Sequence, residues 1–322
     1  MDFKLNFPIA SFPQKVSYKD KIVLLGSCFA ENIGECLVRN KFSAIQNPHG
    51  IIYNPLNSVS GIEEYISNKT YTEKDLFFAN DRWNSFNHHS RFSDTDKEIC
   101  LQRINSSIVE AHEHLKEAKW LMITFGSAFI YKNKEGGIVA NCHKLPQKEF
   151  SKELISTEEI VTSFNRTFTQ LKTNNPQLNI LFTVSPVRYI RDGIVENNLS
   201  KSILLQSVHE LVKQHDNCFY FPAYEIVNDE LRDYRFFKED LVHPNEMAIN
   251  YVWEKFTNAL FDNTAKDLYQ KIEEILIAKE HRPFNPESEV HKAFRKNYQD
   301  KVNRLSRKFP FLDLTRELNY FS

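Results

Sequence analysis

The sequence has little glycine and no excess of either charge. Only 8 of its 322 residues are glycine, so each one is expected to meet a backbone requirement that other residues cannot. The formal net charge is −1, whereas general nucleic-acid binders carry a strong basic excess or a basic stripe. We therefore expect no nucleic-acid partner.

The sequence also lacks a cysteine pattern of the kind that forms disulfides or binds metals. Its cysteines, at positions 28, 36, 100, 142 and 218, are odd in number, scattered, and never spaced as CxxC. This pattern favours reduced thiols and shows no structural zinc site. The histidines show no ligand spacing either, so we expect no bound metal.

Long apolar runs are absent as well. No run approaches the ~18 residues that are needed to span a bilayer. The first fifteen residues contain no apolar signal region and are interrupted by Pro8 and Pro13, so no secretory signal is predicted. Together with the reduced thiols, these features predict a cytoplasmic protein without a membrane partner.

What the sequence does contain is an alternation of apolar strands and amphipathic helices. Buried-type strands are predicted at 21–26, 42–46, 120–125, 179–185 and 218–222, with helices between them. All five are apolar enough for the interior of a parallel sheet. The predicted fold class is α/β, a three-layer α/β/α sandwich with a doubly wound sheet whose sites lie beyond the carboxyl ends of the strands.

The pattern changes near residue 263, after which polar helices are predicted without further strands. We therefore divide the chain into a core domain, 1–262, and a C-terminal helical extension, 263–322, which packs on the core or on a partner. Within the core, 128–142 is predicted to be a hairpin. Residues 70–95 are predicted to be a long irregular loop whose aromatic side chains are candidates to line a site.

The most informative segment is Gly26-Ser27-Cys28, which follows a strand and precedes a helix. This order places a reactive atom at a helix N-terminus, where the dipole and free N–H groups favour a thiolate. Cys28 is the predicted nucleophile. Ser27 is its rival, because a shift of one residue in the turn decides which side chain faces the pocket. A buried apolar role is the alternative for Cys28.

A second candidate motif, Asp240-Leu241-Val242-His243, stands just before the final helix of the core. His243 is the predicted general base, and Asp240 can orient the ring nitrogen that faces away from the nucleophile. The alternative is a histidine that only hydrogen-bonds backbone at the start of a helix. Catalysis requires folding to bring this motif to Cys28, over two hundred positions away.

Gly26-Ser27-Cys28-Phe29-Ala30 resembles the signature of the GSCFA family, which is placed with the SGNH hydrolases, a superfamily of flavodoxin-like esterases and acyltransferases. The similarity covers roughly residues 15–260. Further segments that look like the family are 47–50, 89–92, 141–144, 185–188, 233–236 and 243–244. The resemblance implies a flavodoxin-like sheet and acyl-ester chemistry.

The resemblance to the SGNH pattern also implies roles for individual residues. Cys28 takes the place of the nucleophilic serine of the Gly-Asp-Ser block, with Ser27 where the aspartate would stand. Asp240 and His243 match the Asp-x-x-His block. Arg188, after the fourth strand, can clamp a phosphate or carboxylate together with Arg191, or these arginines pair with acids nearby.

Two glycines match the remaining blocks of the pattern. Gly50 corresponds to the second-block glycine, and Gly126 to that of the third block, but Ala128 stands where an oxyanion-binding asparagine would be. Backbone N–H groups of Cys28 and Gly50 are expected to form two arms of the oxyanion hole. Four side chains are candidates for the missing arm: Asn47, Asn54, Ser127 and Asn141.

These roles imply an SGNH-type hydrolase that removes a small acyl group, such as acetyl on a carbohydrate, and needs no cofactor. Its partner would be a small-molecule or carbohydrate acyl ester. A cysteine nucleophile also suits an O-acyltransferase in polysaccharide modification, with acyl-CoA as the donor. A binding protein on a degenerate hydrolase fold is the third possibility, favoured by the missing asparagine and opposed by the intact Asp-x-x-His.

Overall fold

The computed structural model describes residues 4–322. Its strands are Lys21–Gly26 (β1), Ser43–Gln46 (β2), Phe77–Ala79 (β3), Arg82–Asn84 (β4), Ala118–Phe125 (β5), Phe129–Asn133 (β6), Ile138–Val139 (β7), Phe150–Leu154 (β8), Asn179–Val184 (β9) and Cys218–Tyr220 (β10). Its α-helices are Cys28–Arg39 (α1), Pro55–Ser67 (α2), Lys97–Glu117 (α3), Thr157–Asn174 (α4), Ile194–Gln214 (α5), Ala223–Glu225 (α6), Glu246–Leu260 (α7), Asn263–Glu280 (α8), Glu289–Lys308 (α9) and Thr315–Phe321 (α10).

A five-stranded parallel sheet forms the centre of the protein, in the order β10-β9-β5-β1-β2. Counted along the chain, these strands stand in the order 2-1-3-4-5, which is the flavodoxin-like arrangement. The predicted α/β sandwich is therefore confirmed. The strand order reverses between β1 and β5, so the crevice beyond their carboxyl ends is the expected place for a site.

Alternating side chains of the central strands supply two cores, one on each face of the sheet. On β1, Ile22 and Leu24 belong to one core, while Val23 and Leu25 belong to the other. Side chains of α8, α9 and α10 join the same core as Ile22 and Leu24. The C-terminal helices thus belong to the apolar core on this side of the sheet, together with α1 and α7. No helix within residues 4–322 has the length and apolar character that crossing a membrane would need.

Short polar side chains define where the main helices begin. Ser27, Asn54, Asp96, Ser156 and Asn245 are N-cap residues, and each accepts a hydrogen bond from a backbone N–H in the first turn of its helix. Such caps satisfy donors that have no partner inside the helix. The starts of these five helices therefore follow from a local sequence signal, whereas α5 begins after Gly193 without a side-chain cap.

Two small antiparallel sheets lie outside the central one. The predicted hairpin is present as β6 and β7, but β8 also pairs with β6 and makes a three-stranded sheet. This strand is short and mostly polar, with exposed residues alternating with half-buried ones, so it gave no strand signal in the sequence. The segment 70–95, predicted as irregular, contains the hairpin of β3 and β4.

Candidate active site

The first candidate motif lies where β1 ends against its neighbours. Gly26 has a φ of +130°, and a Cβ atom there would lie 2.1 Å from the carbonyl oxygen of Thr124 on β5. The Gly26 N–H donates to Oδ1 of Asn47 at 2.8 Å, and the Ser27 N–H donates to the same Thr124 oxygen at 3.3 Å. The turn is therefore fixed to both neighbouring strands at the switch point.

Ser27 and Cys28 play different structural roles after this turn. The Ser27 side chain is 1% exposed, and its Oγ caps α1 by accepting the Phe29 N–H at 3.3 Å. Cys28 is the first residue of the helix and is only partly buried. Of the two predicted nucleophiles, the thiol is thus the more accessible and is not used as a cap.

Several groups shift the pKa of the Cys28 thiol in opposite directions. Burial raises the pKa of Cys28, and the nearby Glu31 raises it further, whereas the backbone N–H groups of Cys28 and Phe29 and the Lys201 ammonium lower it. The net pKa shift is upward. The helix N-terminus does favour a thiolate, as expected from the sequence, but burial outweighs it, so the resting group is a thiol.

The second candidate motif forms the pair that its spacing predicts. Oδ2 of Asp240 lies 2.7 Å from Nδ1 of His243, and Oδ1 accepts the N–H groups of Val242 and His243, each at 3.0 Å. These backbone N–H groups, and then the ring, lower the pKa of Asp240 to about 2. Asp240 is therefore ionised at neutral pH, and the ring is oriented with Nε2 pointing away from the carboxylate.

Arg188 connects this loop to the central sheet. Its backbone N–H donates to the carbonyl of Val242 at 3.3 Å, and its guanidinium donates to the carbonyl of Leu241 at 3.2 Å. The guanidinium also lies over the ring of Phe237, 4.3 Å from the centroid. Arg188 thus braces the histidine loop beyond β9, and it makes no ion pair with the acids that follow it.

The two motifs therefore share the carboxyl edge of the sheet, one beyond β1 and the other held beyond β9. Across residues 4–322, no hydrogen bond joins His243 to Cys28 or Ser27. The Asp240 and His243 side chains are 47% and 42% exposed, so the loop lies at the surface. The close approach of nucleophile and base stays a prediction.

Backbone donors near the turn are already in use. The Gly50 N–H, predicted to bind the oxyanion, donates to the carbonyl of Asn47 at 2.7 Å. The N–H groups of Gly126 and Ser127 both donate to the carbonyl of Tyr53, at 2.8 and 2.9 Å. These three groups cannot serve an oxyanion in this conformation without losing a bond within the protein. Another donor is needed.

All four side chains predicted as substitutes accept a backbone hydrogen bond. Asn54 caps α2, and Ser127 and Asn141 each accept the N–H of the residue two positions ahead, at 3.1 and 2.8 Å. Asn47 differs from them. Its Oδ1 accepts the Gly26 N–H, but its Nδ2 is buried and has no partner among the residues that the structure describes. Asn47 therefore has a spare hydrogen-bond donor beside the Gly26–Cys28 turn.

A cleft of about 580 Å³ opens next to the turn. A Cβ atom on Gly126 would lie 3.2 Å from Tyr53, which lines the cleft, and 3.4 Å from Ser27 of the turn, so Gly126 adjoins both. Side chains that line the cleft include Tyr53, His89, Ser127, Phe129, Tyr131, Asn141, Cys142, Lys144, Phe150, Tyr189 and Arg191. The cleft is thus lined by aromatic side chains with polar and cationic groups among them.

The walls of this cleft differ from the prediction. They come mainly from the small β6–β8 sheet and from Tyr189, whereas the expected aromatic residues of 77–92 mostly pack among themselves. Phe77 and Phe86, for example, stack with centroids 4.0 Å apart. A larger cavity of about 820 Å³ lies around Glu230 and Tyr251, and none of the predicted site residues lines it.

A buried ionic network around Glu64, next to the 47–50 loop, was not predicted from the sequence. Nε2 of His49 lies 2.7 Å from Oε2 of Glu64, and Nδ1 hydrogen-bonds the hydroxyl of Tyr65. Lys69 and the Tyr71 hydroxyl also donate to the Glu64 carboxylate, at 2.8–2.9 Å. The signal that could have found it is an acid on α2 among apolar neighbours.

Replacing Glu64 with glutamine should destabilise the protein by about 1–3 kcal/mol at pH 7, because buried donors lose a charged acceptor. Burial raises the pKa of Glu64, but hydrogen bonds from His49 and Lys69 outweigh it and the net pKa is lowered. Because its folded-state pKa is lowered, the Glu64 carboxylate stabilises the fold at pH values above its unfolded pKa of about 4.3. This stabilisation is lost as the pH falls from that value through the folded-state pKa. The variant should therefore lose part of the acid sensitivity.

Urea unfolding of both proteins at pH 7 and pH 4 measures this effect. Glu63→Gln is the matched control, since Glu63 precedes Glu64 and pairs with Arg166 at the surface. That control should change the free energy of unfolding by less than about 1 kcal/mol. Equal losses in the two variants would show that the buried network does not stabilise the fold.

The strand order and the Gly26–Cys28 turn at the switch point define the class: an α/β protein with its candidate site at the carboxyl edge of a flavodoxin-like sheet. The chain belongs to the GSCFA family. The model described as GSCFA family matches residues 21–256, and that described as GSCFA domain protein, C-terminal domain, matches residues 272–322.

Among solved structures, the chain is similar to an acetyl xylan esterase, Est2A, from the rumen bacterium Butyrivibrio proteoclasticus. The TM-score is 0.35 and the sequence identity is 8%, over 76% of this chain and 63% of the esterase chain. The chain thus spans less than two thirds of the esterase's length. A search of curated proteins finds no match.

Proposed function

We propose that this GSCFA protein is an SGNH-type acyl-ester hydrolase that removes a small acyl group, such as acetyl on a carbohydrate, by nucleophilic catalysis. The observation that carries the proposal is the turn at the switch point, which presents the accessible Cys28 thiol at the start of α1. A strand-to-helix turn of this kind holds a nucleophile in a fixed orientation beside a cleft.

In the proposed reaction, Sγ of Cys28 attacks the ester carbonyl carbon while its proton passes to Nε2 of His243. The tetrahedral intermediate then collapses, the alcohol leaves with that proton, and an acyl thioester remains on Cys28. Water, activated by His243, hydrolyses the thioester and restores the thiol. Asp240 holds the ring through its bond to Nδ1 and stabilises the cation that forms.

Two donors are proposed for the oxyanion. The Cys28 N–H is the first of its helix and has no acceptor within the helix, as is general at helix starts. Nδ2 of Asn47 is the buried donor without a partner in the described chain. Both belong to the region of the nucleophile turn, because Oδ1 of Asn47 accepts the Gly26 N–H.

The mechanism also requires the histidine loop to approach the thiol when substrate binds. Leu241, in the middle of the loop, has a φ of +60° and is half exposed, a backbone conformation that is costly for leucine. Closure of such a surface loop over a substrate is a common way to complete a catalytic site. Arg188 would then serve as the anchor of the moving loop.

An acyl-CoA-dependent O-acyltransferase is the second candidate. Lys144 and Arg191 bring two cationic side chains to the wall of the cleft, and such groups suit the phosphates of an acyl-CoA donor. A thiol nucleophile exchanges readily with a thioester. The two candidates share Cys28, Asp240 and His243 and differ in whether water or a sugar hydroxyl accepts the acyl group.

Incubation with p-nitrophenyl acetate or acetyl-CoA, followed by peptide mass spectrometry, tests the proposal. We expect acetyl on Cys28, with the faster donor indicating hydrolase or transferase. Cys142 lines the cleft and is the internal control for acetylation without catalysis. A protein that gains no acetyl on Cys28 or Ser27 beyond the level of Cys142 would be a binding protein.

Replacing His243 with alanine should lower turnover by about 10²–10⁴-fold, the usual contribution of a general base. The measurement is kcat/KM for the better of the two donors. His215→Ala is the control: this histidine at the end of α5 hydrogen-bonds Asn165 and lies near the opposite edge of the sheet. Unchanged turnover in the His243 variant would remove the base from the mechanism.

A further inference from the structure

Lys201 is a buried lysine that the proposed mechanism does not use. It lies on α5, is 2% exposed, and its Nζ donates to the carbonyl of Gly126 at 2.6 Å and to that of Ser185 at 2.7 Å. These carbonyls follow β5 and β9. The ammonium group therefore lies inside the carboxyl edge of the sheet, where the candidate site is.

This lysine has no acidic partner. None of the ion pairs formed within residues 4–322 includes Lys201, whereas the buried glutamates Glu64, Glu230 and Glu317 each face lysines. Burying an ionised group without a counter-ion is costly, and proteins normally pair such groups. The Lys201 ammonium is bound only by carbonyl oxygens. We therefore expect its counter-ion to be an anion that forms during function.

The Gly26–Cys28 turn packs against a residue that binds this ammonium. Gly126, whose carbonyl binds Lys201, packs against Ser27, since a Cβ atom on Gly126 would lie 3.4 Å from the Ser27 Cβ. Burial lowers the pKa of Lys201 to about 7, and Cys28 is the one ionisable group that counteracts it. In return the Lys201 charge lowers the pKa of Cys28. Each group therefore favours the charged form of the other.

We propose that Lys201 is a positioning residue that supplies the counter-charge for a Cys28 thiolate. This inference rests on the proposed function, in which the S–H bond breaks and the proton passes to His243. The sulfur anion left behind raises the pKa of Lys201, and the protonated amine in turn stabilises the anion. The other ionisable groups near the thiol are Glu31 of α1, which opposes the anion, and Tyr53, which adjoins the turn.

The rate of Cys28 alkylation by iodoacetamide at pH 6, where Lys201 is mostly protonated, tests this proposal without requiring turnover. Followed on the Cys28 peptide by mass spectrometry, this rate should fall by about tenfold in Lys201→Met, and Lys201→Arg should keep the wild-type rate. The Cys36 and Cys142 peptides from the same digests should keep their rates. An unchanged Cys28 rate in folded Lys201→Met overturns the proposal.

Lys172→Met is the matched control for the alkylation experiment. Lys172 also donates to two carbonyls, those of Pro176 and Leu178, and its nearest thiol is Cys218. The same substitution there removes a carbonyl-bound ammonium that has no influence on Cys28. A Cys28 alkylation rate at pH 6 that falls equally in this variant would also overturn the proposal, because the effect would not be specific to Lys201.

A second measurement leaves Lys201 in place and so avoids any loss of folding. Cys28→Asp puts a permanent anion at the position, and Cys28→Asn is its neutral counterpart. At pH 7 the Cys28→Asp variant should have a higher melting temperature than the Cys28→Asn variant. This difference should exceed the difference between Thr157→Asp and Thr157→Asn by at least about 2 °C. Thr157 likewise begins a helix after a serine cap, with Glu158 and Glu159 in the first turn where α1 has Glu31, so its pair of variants measures the effect of an anion at a helix start with acidic neighbours.

Equal gaps in melting temperature at the two positions would overturn the proposal. Neither this measurement nor the alkylation depends on an ester substrate. If the protein proved not to be an esterase, both results would still show whether Lys201 stabilises an anion at Cys28. Failure of the counter-charge and failure of the proposed function are thus separate outcomes.

Discussion

Replacing Cys28 with alanine is expected to abolish turnover, with a loss of at least about 10⁴-fold in kcat/KM. The reason is that no neighbouring group can take over the attack. The Ser27 hydroxyl is buried and caps α1, so it is not presented to the cleft. The measurement is kcat/KM with the donor that acetylates the wild-type protein faster.

Ser27→Ala is the informative companion to this variant. Loss of an N-cap should lower the free energy of unfolding by about 1 kcal/mol, while the thiol and its surroundings remain, so turnover should stay within about tenfold of wild type. The opposite outcome, an active Cys28→Ala protein and an inactive but folded Ser27→Ala protein, would make serine the nucleophile. Thermal unfolding of both variants separates lost chemistry from lost structure.

Replacing Gly26 with alanine is expected to destabilise the protein by about 4 kcal/mol or more, or to prevent folding. Two effects combine here: the positive φ disfavours an L side chain, and the new Cβ would lie 2.1 Å from the Thr124 carbonyl. That oxygen belongs to the backbone of β5 and cannot move without disturbing the pairing of β1 with β5. Urea unfolding and soluble yield measure the loss.

Gly136→Ala separates these two effects. Gly136 also has a positive φ, +82°, but nothing lies within 4 Å of a Cβ built there. Its substitution should cost only about 1–2 kcal/mol of backbone strain. If the two variants were equally stable, the close approach of β1 and β5 at the switch point would not be a constraint on the site.

Much of the fold could be predicted because its signals are local. Each strand of the central sheet is a short apolar run between helices, and each lies within a few residues of its predicted position. The strand order was implied by the family resemblance and does not follow from the run of strands. β8 was missed because it is mostly polar, and the alternation of its exposed and half-buried residues is too weak to show in the sequence.

The candidate site was predictable to the extent that its parts are close in sequence. Asp240 and His243 are three residues apart, and their spacing alone predicted their hydrogen bond. Lys201 was not identified, because its partners are 75 and 16 positions away. A signal was present, however, since Lys201 continues the buried stripe of Leu204, Val208 and Leu211 on α5.

The sequence could not show which N–H groups near the turn are free to bind an oxyanion. Gly50 has the positive φ that a glycine permits, but only the structure shows that its N–H is bonded to Asn47. The same applies to the choice among the four candidate side chains, which differ in the backbone groups that they already bind. Such competition is decided by atoms that meet only in the folded chain.

The sharing of one core between the sheet and the C-terminal helices has a consequence for biosynthesis. Ile22 and Leu24 lie at the beginning of the chain, yet the apolar cluster that covers them includes Leu268, Val302 and Phe321. Translation proceeds from the amino terminus. The side chains of α1 and α7 can cover this face of the sheet early, but the apolar cluster is complete only once α10 has left the ribosome.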